Sequence, residues 1–122
     1  MSLPDAAALG RLGEECASLF LQACGFQVVA SRYRRPGGEI DLVMRRPELL
    51  VFVEVKARGP RHPGRPEEAV HVRQLQRLRR LARRFLHENP AWRAPAYRFD
   101  VIVVEFGGEG RESRLRHYPG VI

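Results

Sequence analysis

Asp41, Glu54 and Lys56 are the residues of this sequence best placed to do chemistry together. Residues 39–45 and 49–57 read as two strands separated by the turn signal Arg46-Pro47-Glu48. A four-residue loop over 46–49 pairs Arg45 with Leu50. Counting back, Asp41 then stands opposite Glu54, and Glu39 opposite Lys56. Side chains alternate along a strand, so Glu39, Asp41, Val43, Leu50, Phe52, Glu54 and Lys56 share one face. That face is apolar near the turn and acidic at its far end. Two carboxylates directly opposed repel each other unless a cation joins them or one takes a proton. At that spacing both reach one hard cation, which suits Mg²⁺ or Mn²⁺. A lysine beside them can orient a water or stabilise charge building up on a phosphate.

The competing reading is an exposed hairpin end with a cross-strand Glu39–Lys56 pair of little energetic worth. The flanking Val53 and Val55 speak against it, because they make the second strand look buried. Of the 21 basic residues, Lys56 is the sole lysine. A lysine kept where arginine serves everywhere else points to a need for a compact ammonium.

The elements that must position this hairpin follow from periodicity. Residues 4–24 read as a helix with Leu9, Leu12, Cys16, Leu19, Phe20 and Ala23 as its apolar stripe, stopped by Gly25. Residues 26–31 read as a short strand and 32–38 as a basic loop. The run 49–56 is apolar on both faces until its end, the pattern of a central strand covered on both sides. Residues 58–66 read as a loop. Pro66 is expected to open a long helix to about Glu88, with Val72, Leu75, Leu78, Ala82 and Phe85 on its apolar face, stopped by Asn89-Pro90. Strands follow over 97–106 and 113–118. The order α-β-β-β-α-β-β argues for a single α/β domain over 1–122, a mixed β-sheet flanked by helices.

The net charge of +7 and pI of about 10.6 suit a polyanionic partner, nucleic acid before a membrane surface. A genome-wide arginine bias would produce the same charge. Arg73, Arg77, Arg80 and Arg84 recur opposite the apolar stripe of the long helix. They form a ridge of about 16 Å that could track a phosphate backbone or be an ordinary solvated face. Arg32, Arg34 and Arg35 precede the Glu39 strand and are the stronger candidates for phosphate contact. No apolar run is long enough to span a membrane, and residues 1–5 carry no secretion signal, so a cytoplasmic protein is expected. Cys16 and Cys24 read as reduced core residues, and His62, His71, His87 and His117 as surface residues without metal spacing.

The run Gly38-Glu39-Ile40-Asp41-Leu42-Val43, followed by Val51-Phe52-Val53-Glu54-Val55-Lys56-Ala57-Arg58, resembles the signature of the YraN family. These small bacterial proteins are similar to archaeal Holliday-junction resolvases and, more distantly, to PD-(D/E)xK nucleases of restriction-endonuclease-like fold. The resemblance extends from Gly10-Arg11-Leu12-Gly13-Glu14-Glu15-Cys16-Ala17 through Pro66-Glu67-Glu68-Ala69-Val70 to Arg98-Phe99-Asp100-Val101. It implies a restriction-endonuclease-like sandwich and a Mg²⁺-dependent endonuclease acting on DNA, branched DNA included. Asp41 and Glu54 would be metal ligands and Lys56 the catalytic lysine. A helix-one glutamate would complete the site: Glu14, with Glu15 as the alternative because it borders the apolar stripe. The family usually carries a lysine where this chain has Gln74, and a glutamine in that place can serve near the site. Asp100 fits the pattern too, or simply pairs with an arginine. The alternative function is a non-catalytic nucleic-acid-binding module that keeps the fold. A protein-interaction domain is a third reading, and a second copy of the chain, as a homodimer, a further partner.

Overall fold

The computed structural model describes residues 5–60, 71–108 and 110–122. Its elements are α1 (Ala6–Ala23), β1 (Gln27–Arg35), β2 (Gly38–Arg46), β3 (Leu49–Arg58), α2 (Val72–Glu88), β4 (Ala96–Glu105) and β5 (Arg114–Tyr118), with a 3-10 turn at Pro90–Trp92. Asp5 caps α1 by accepting the Ala8 N–H at 2.8 Å, and Gly25, at φ +94, turns the chain out of it.

The strands form one sheet in the order β1-β2-β3-β4-β5. All neighbours are antiparallel except β3 and β4, which run parallel and are joined by the crossover that carries α2. The doubly apolar run of β3 is central, as its sequence requires. Val51 and Val53 join Leu42, Met44, Ile102 and Val104 beneath α1. Leu50 and Phe52 join Tyr33, Ile40 and Val43 beneath Leu78, Leu81, Ala82 and Phe85 of α2. Each face of the sheet thus has its own helix, in the α-β-β-β-α-β-β order expected from the sequence. No helix among the described residues is long and apolar enough to cross a membrane.

Five local expectations are corrected. In α1 the buried residues are Gly13, Ala17 and Leu21, whereas Leu12 and Leu19 are 42% and 59% exposed. The small residues win that face because they let α1 lie close on β3: a Cβ at Gly13 would stand 2.7 Å from the Ala57 Cβ. Second, residues 32–35 belong to β1, and the chain reverses only at Pro36 and Gly37, the latter at φ +101. Third, α2 begins at Val72, since His71 is extended at φ −123 and ψ 135; Pro66 itself lies outside the described residues. Val72 is 67% exposed, and Leu81 takes its expected place in the core. Fourth, both cysteines are free thiols, but Cys24 is exposed at the end of α1. Fifth, His117 is half-buried and bonds Asp100 at 2.7 Å, while His71 and His87 are exposed and His62 lies outside the described residues.

Candidate functional site

The β2–β3 ladder keeps the expected register at the turn, with Arg45 opposite Leu50, and runs as far as Leu42 opposite Val53. There the ladder ends. The Val55 N–H donates instead to the Asp41 side chain, Oδ2, at 2.7 Å. Asp41 and Glu54 are therefore not a ladder pair, and Glu39 does not face Lys56. Lys56 bonds the glutamate two residues before it, with Nζ 3.0 Å from Glu54 Oε1.

What gathers around Asp41 is a trio. Carboxylate oxygens of Glu14, Glu39 and Asp41 all lie within 4.8 Å of one another. Glu14 arrives from α1, carried in by the close seating of Gly13 on Ala57, while Glu15 is exposed beside it. Glu39 arrives from β2. Its Oε1 is buried and accepts no hydrogen bond from a described residue. Arg34 Nε stands 3.5 Å from that oxygen, near enough for charge attraction but not aligned to donate. Burial pushes the Asp41 carboxyl up to about 8, helped by the charge of Glu54 and then of Glu14 and Glu39, against the pull of the Val55 N–H.

This donor set fits a hard divalent cation. It offers three carboxylates from two elements, all oxygen, one of them with a buried oxygen in want of a partner. Glu39 was weighed from sequence only as a partner for Lys56. The signal that could have found it is Glu39-x-Asp41, two acids on one side of a strand.

A cavity of about 480 Å³ opens beside the trio, lined by Glu39, Asp41 and Glu54 together with Gln74 of α2. Arg34, Arg35 and Arg77 stand at its wall. The three arginines of β1 are already engaged with carboxylates. Arg32 Nε bonds Glu14 at 2.8 Å. Arg34 faces Glu39, and Arg35 bonds Glu88 at 3.0 Å. Glu88 is held at about 2, well below the usual carboxylate range, by the Tyr33 hydroxyl first and then by Arg35. On α2, Arg73, Arg77 and Arg80 are exposed and line a second cavity with Gly37, whereas Arg84 pairs with Glu88. Asp100, wholly buried, lies apart from the trio. It takes both nitrogens of the Arg98 fork, His117 and the Gly120 N–H. It is a tether for the C-terminal segment, as the simple-pairing reading expected.

The pattern of the uncharacterised protein family UPF0102 matches residues 13–104, which span Glu14, the hairpin, α2 and Asp100. A UPF0102 protein of Beutenbergia cavernae is 46% identical over 114 residues, 93% of this chain and 95% of that one. One from Desulforamulus reducens is 40% identical, covering 94% and 95%, and one from Symbiobacterium thermophilum 44% identical, covering 84% and 86%. With the match running through the acidic trio, both helices and four of the five strands, the chain belongs to the UPF0102, or YraN, family.

Proposed function

We propose that this chain is a metal-dependent endonuclease that hydrolyses phosphodiester bonds in DNA, with branched DNA among its substrates. The observation that carries the reading is the Glu14–Glu39–Asp41 trio, in which a buried Glu39 oxygen takes no hydrogen bond from a described residue, beside a cavity lined by Glu39, Asp41, Glu54 and three arginines. The trio would hold Mg²⁺ or Mn²⁺, with Glu54 next to Asp41. Such an ion supplies Lewis acidity and charge neutralisation at a phosphodiester. The chain's own groups do the rest. Glu54 holds the Lys56 ammonium at 3.0 Å, where a fixed positive charge stabilises charge developing on phosphoryl oxygens. Gln74, on the cavity wall, has an amide able to orient a water. Arginines at the rim and along α2 attract the polyanion.

One observation favours a second reading, a nucleic-acid-binding module without catalysis. Lys56 pairs with Glu54, and Glu54 stands outside the carboxylate trio. The test is cleavage of linear duplex, single-stranded and four-way-junction DNA with Mg²⁺ or Mn²⁺, using Asp41→Asn as control. Metal-dependent cleavage of at least one substrate, lost in Asp41→Asn, is expected. Binding without cleavage in either metal favours the binding module, and absence of both refutes the two readings together.

A further inference from the structure

Two cavities meet at one side chain. Arg77 lines both the acidic cavity and a groove of about 670 Å³ formed with Gly37, Arg73, Gln76, Arg79 and Arg80. It is held there by a missing side chain. Gly38 sits at φ +145, and a Cβ on it would lie 2.7 Å from Arg77 Cδ and 3.4 Å from both Arg77 Cγ and Leu81 Cδ1. The stem of Arg77 therefore lies across the glycine, one residue from Glu39.

Among the described residues its charge is also uncommitted. Of the three arginines on the wall of the acidic cavity, Arg34 faces Glu39 and Arg35 bonds Glu88. Arg77 forms no ion pair with any described residue. A guanidinium with no carboxylate partner among the described residues, seated between a cationic groove and an acidic pocket, is suited to a ligand that must pass from one to the other. A phosphodiester chain is such a ligand, since each of its links carries the charge that a guanidinium fork binds.

We propose that Arg77, braced on Gly38, is the phosphate clamp at the threshold of the acidic cavity. It positions one nucleic-acid strand that lies along the α2 groove. The inference rests on the nucleic-acid reading above and adds to it a side of approach and a particular residue.

The test is equilibrium binding of a short fluorescein-labelled duplex, by anisotropy in chelator across a salt series, so that no turnover intervenes. One phosphate contact contributes about 0.9 to the slope of log K against log salt. Arg77→Gln is expected to flatten the slope by about that much, and Arg77→Lys to restore it. Arg83→Gln is the control, because it removes the same charge from an exposed site on α2 that lines neither cavity. Gly38→Ala keeps every charge but drives Cδ from its seat, and in a folded variant it should weaken binding as Arg77→Gln does. Equal effects of Arg77→Gln and Arg83→Gln, or an unchanged slope in Arg77→Gln, overturn the clamp and leave the nucleic-acid reading standing. A wild type that shows no salt-dependent binding overturns both.

Discussion

Arg32 donates its Nε–H to the Glu14 carboxylate across 2.8 Å, from a backbone held at φ 52 within β1. That left-handed conformation is uncommon for a residue with a side chain and is frequent at functional sites. The guanidinium also feels the charges of Glu39 and Asp41, so it is a resident counter-ion of the carboxylate trio, alongside Arg34 beside Glu39.

A resident cation competes with a bound one. Arg32→Asn, which tolerates the left-handed backbone, should bind Mn²⁺ several-fold more tightly than wild type by calorimetry. Equal or weaker binding would mean that Arg32 serves to orient Glu14 rather than to compete.

Asp41 makes the metal-free protein sensitive to pH. Its carboxyl is at about 8 in the fold, against an ordinary value near 3.8 in the unfolded chain. The folded state therefore holds a proton that the unfolded state releases. The contribution of Asp41 to stability is full below about pH 4, declines as pH rises, and levels off above about 8. Urea midpoints in chelator should trace that decline. Asp41→Asn should remove it and be more stable than wild type at pH 8 by at least on the order of 1 kcal/mol, since a pKa change of one corresponds to about 1.4 kcal/mol. It should also lose the stabilisation that Mg²⁺ gives wild type. A wild-type midpoint that rises from pH 5 to 8 without metal would contradict this electrostatic account.

Gly13→Ala should cost about 1–3 kcal/mol through overpacking against Ala57, more than the ~1 kcal/mol gained in helix propensity. It should weaken Mn²⁺ binding as well, because Glu14 rides on the displaced helix. Adding Ala57→Gly vacates the contested space and should restore both properties. A double variant no better than the single would show that the 2.7 Å approach does not set the position of Glu14.

Lys56→Ala should retain most DNA affinity and lose about 10²-fold or more in single-turnover cleavage, the usual cost of one preorganised charge stabiliser. Cleavage at near the wild-type rate would remove Lys56 from the chemistry and leave it as the partner of Glu54.

Asp100→Ala should act on stability alone. Removing one partner of a buried ion pair costs about 3–5 kcal/mol, and here it strands Arg98 and the Gly120 N–H. DNA affinity and Mn²⁺ binding, measured well below the melting temperature, should be unchanged. A folded variant with lost metal binding would place Asp100 in the site.

The sequence by itself determined the element order, the doubly covered strand and the hairpin register at its turn. These depend on local periodicity, which is written in consecutive residues. It also brought Asp41, Glu54 and Lys56 to one end of that hairpin. Tertiary structure decided the rest. Of the apolar stripe of α1 read in sequence, Cys16 and Phe20 do pack against the core, but the fully buried face is Gly13, Ala17 and Leu21, because a close approach to Ala57 leaves no room for a side chain at Gly13. Register counting carried the ladder through Asp41. The Asp41 carboxylate instead takes the Val55 N–H and ends the pairing, so Glu39 turns to the trio and Lys56 to Glu54. Which arginines are engaged is likewise a matter of what lies across the fold. Arg32 and Arg35 meet glutamates 18 and 53 residues away, and no periodicity within one segment encodes a contact at that separation.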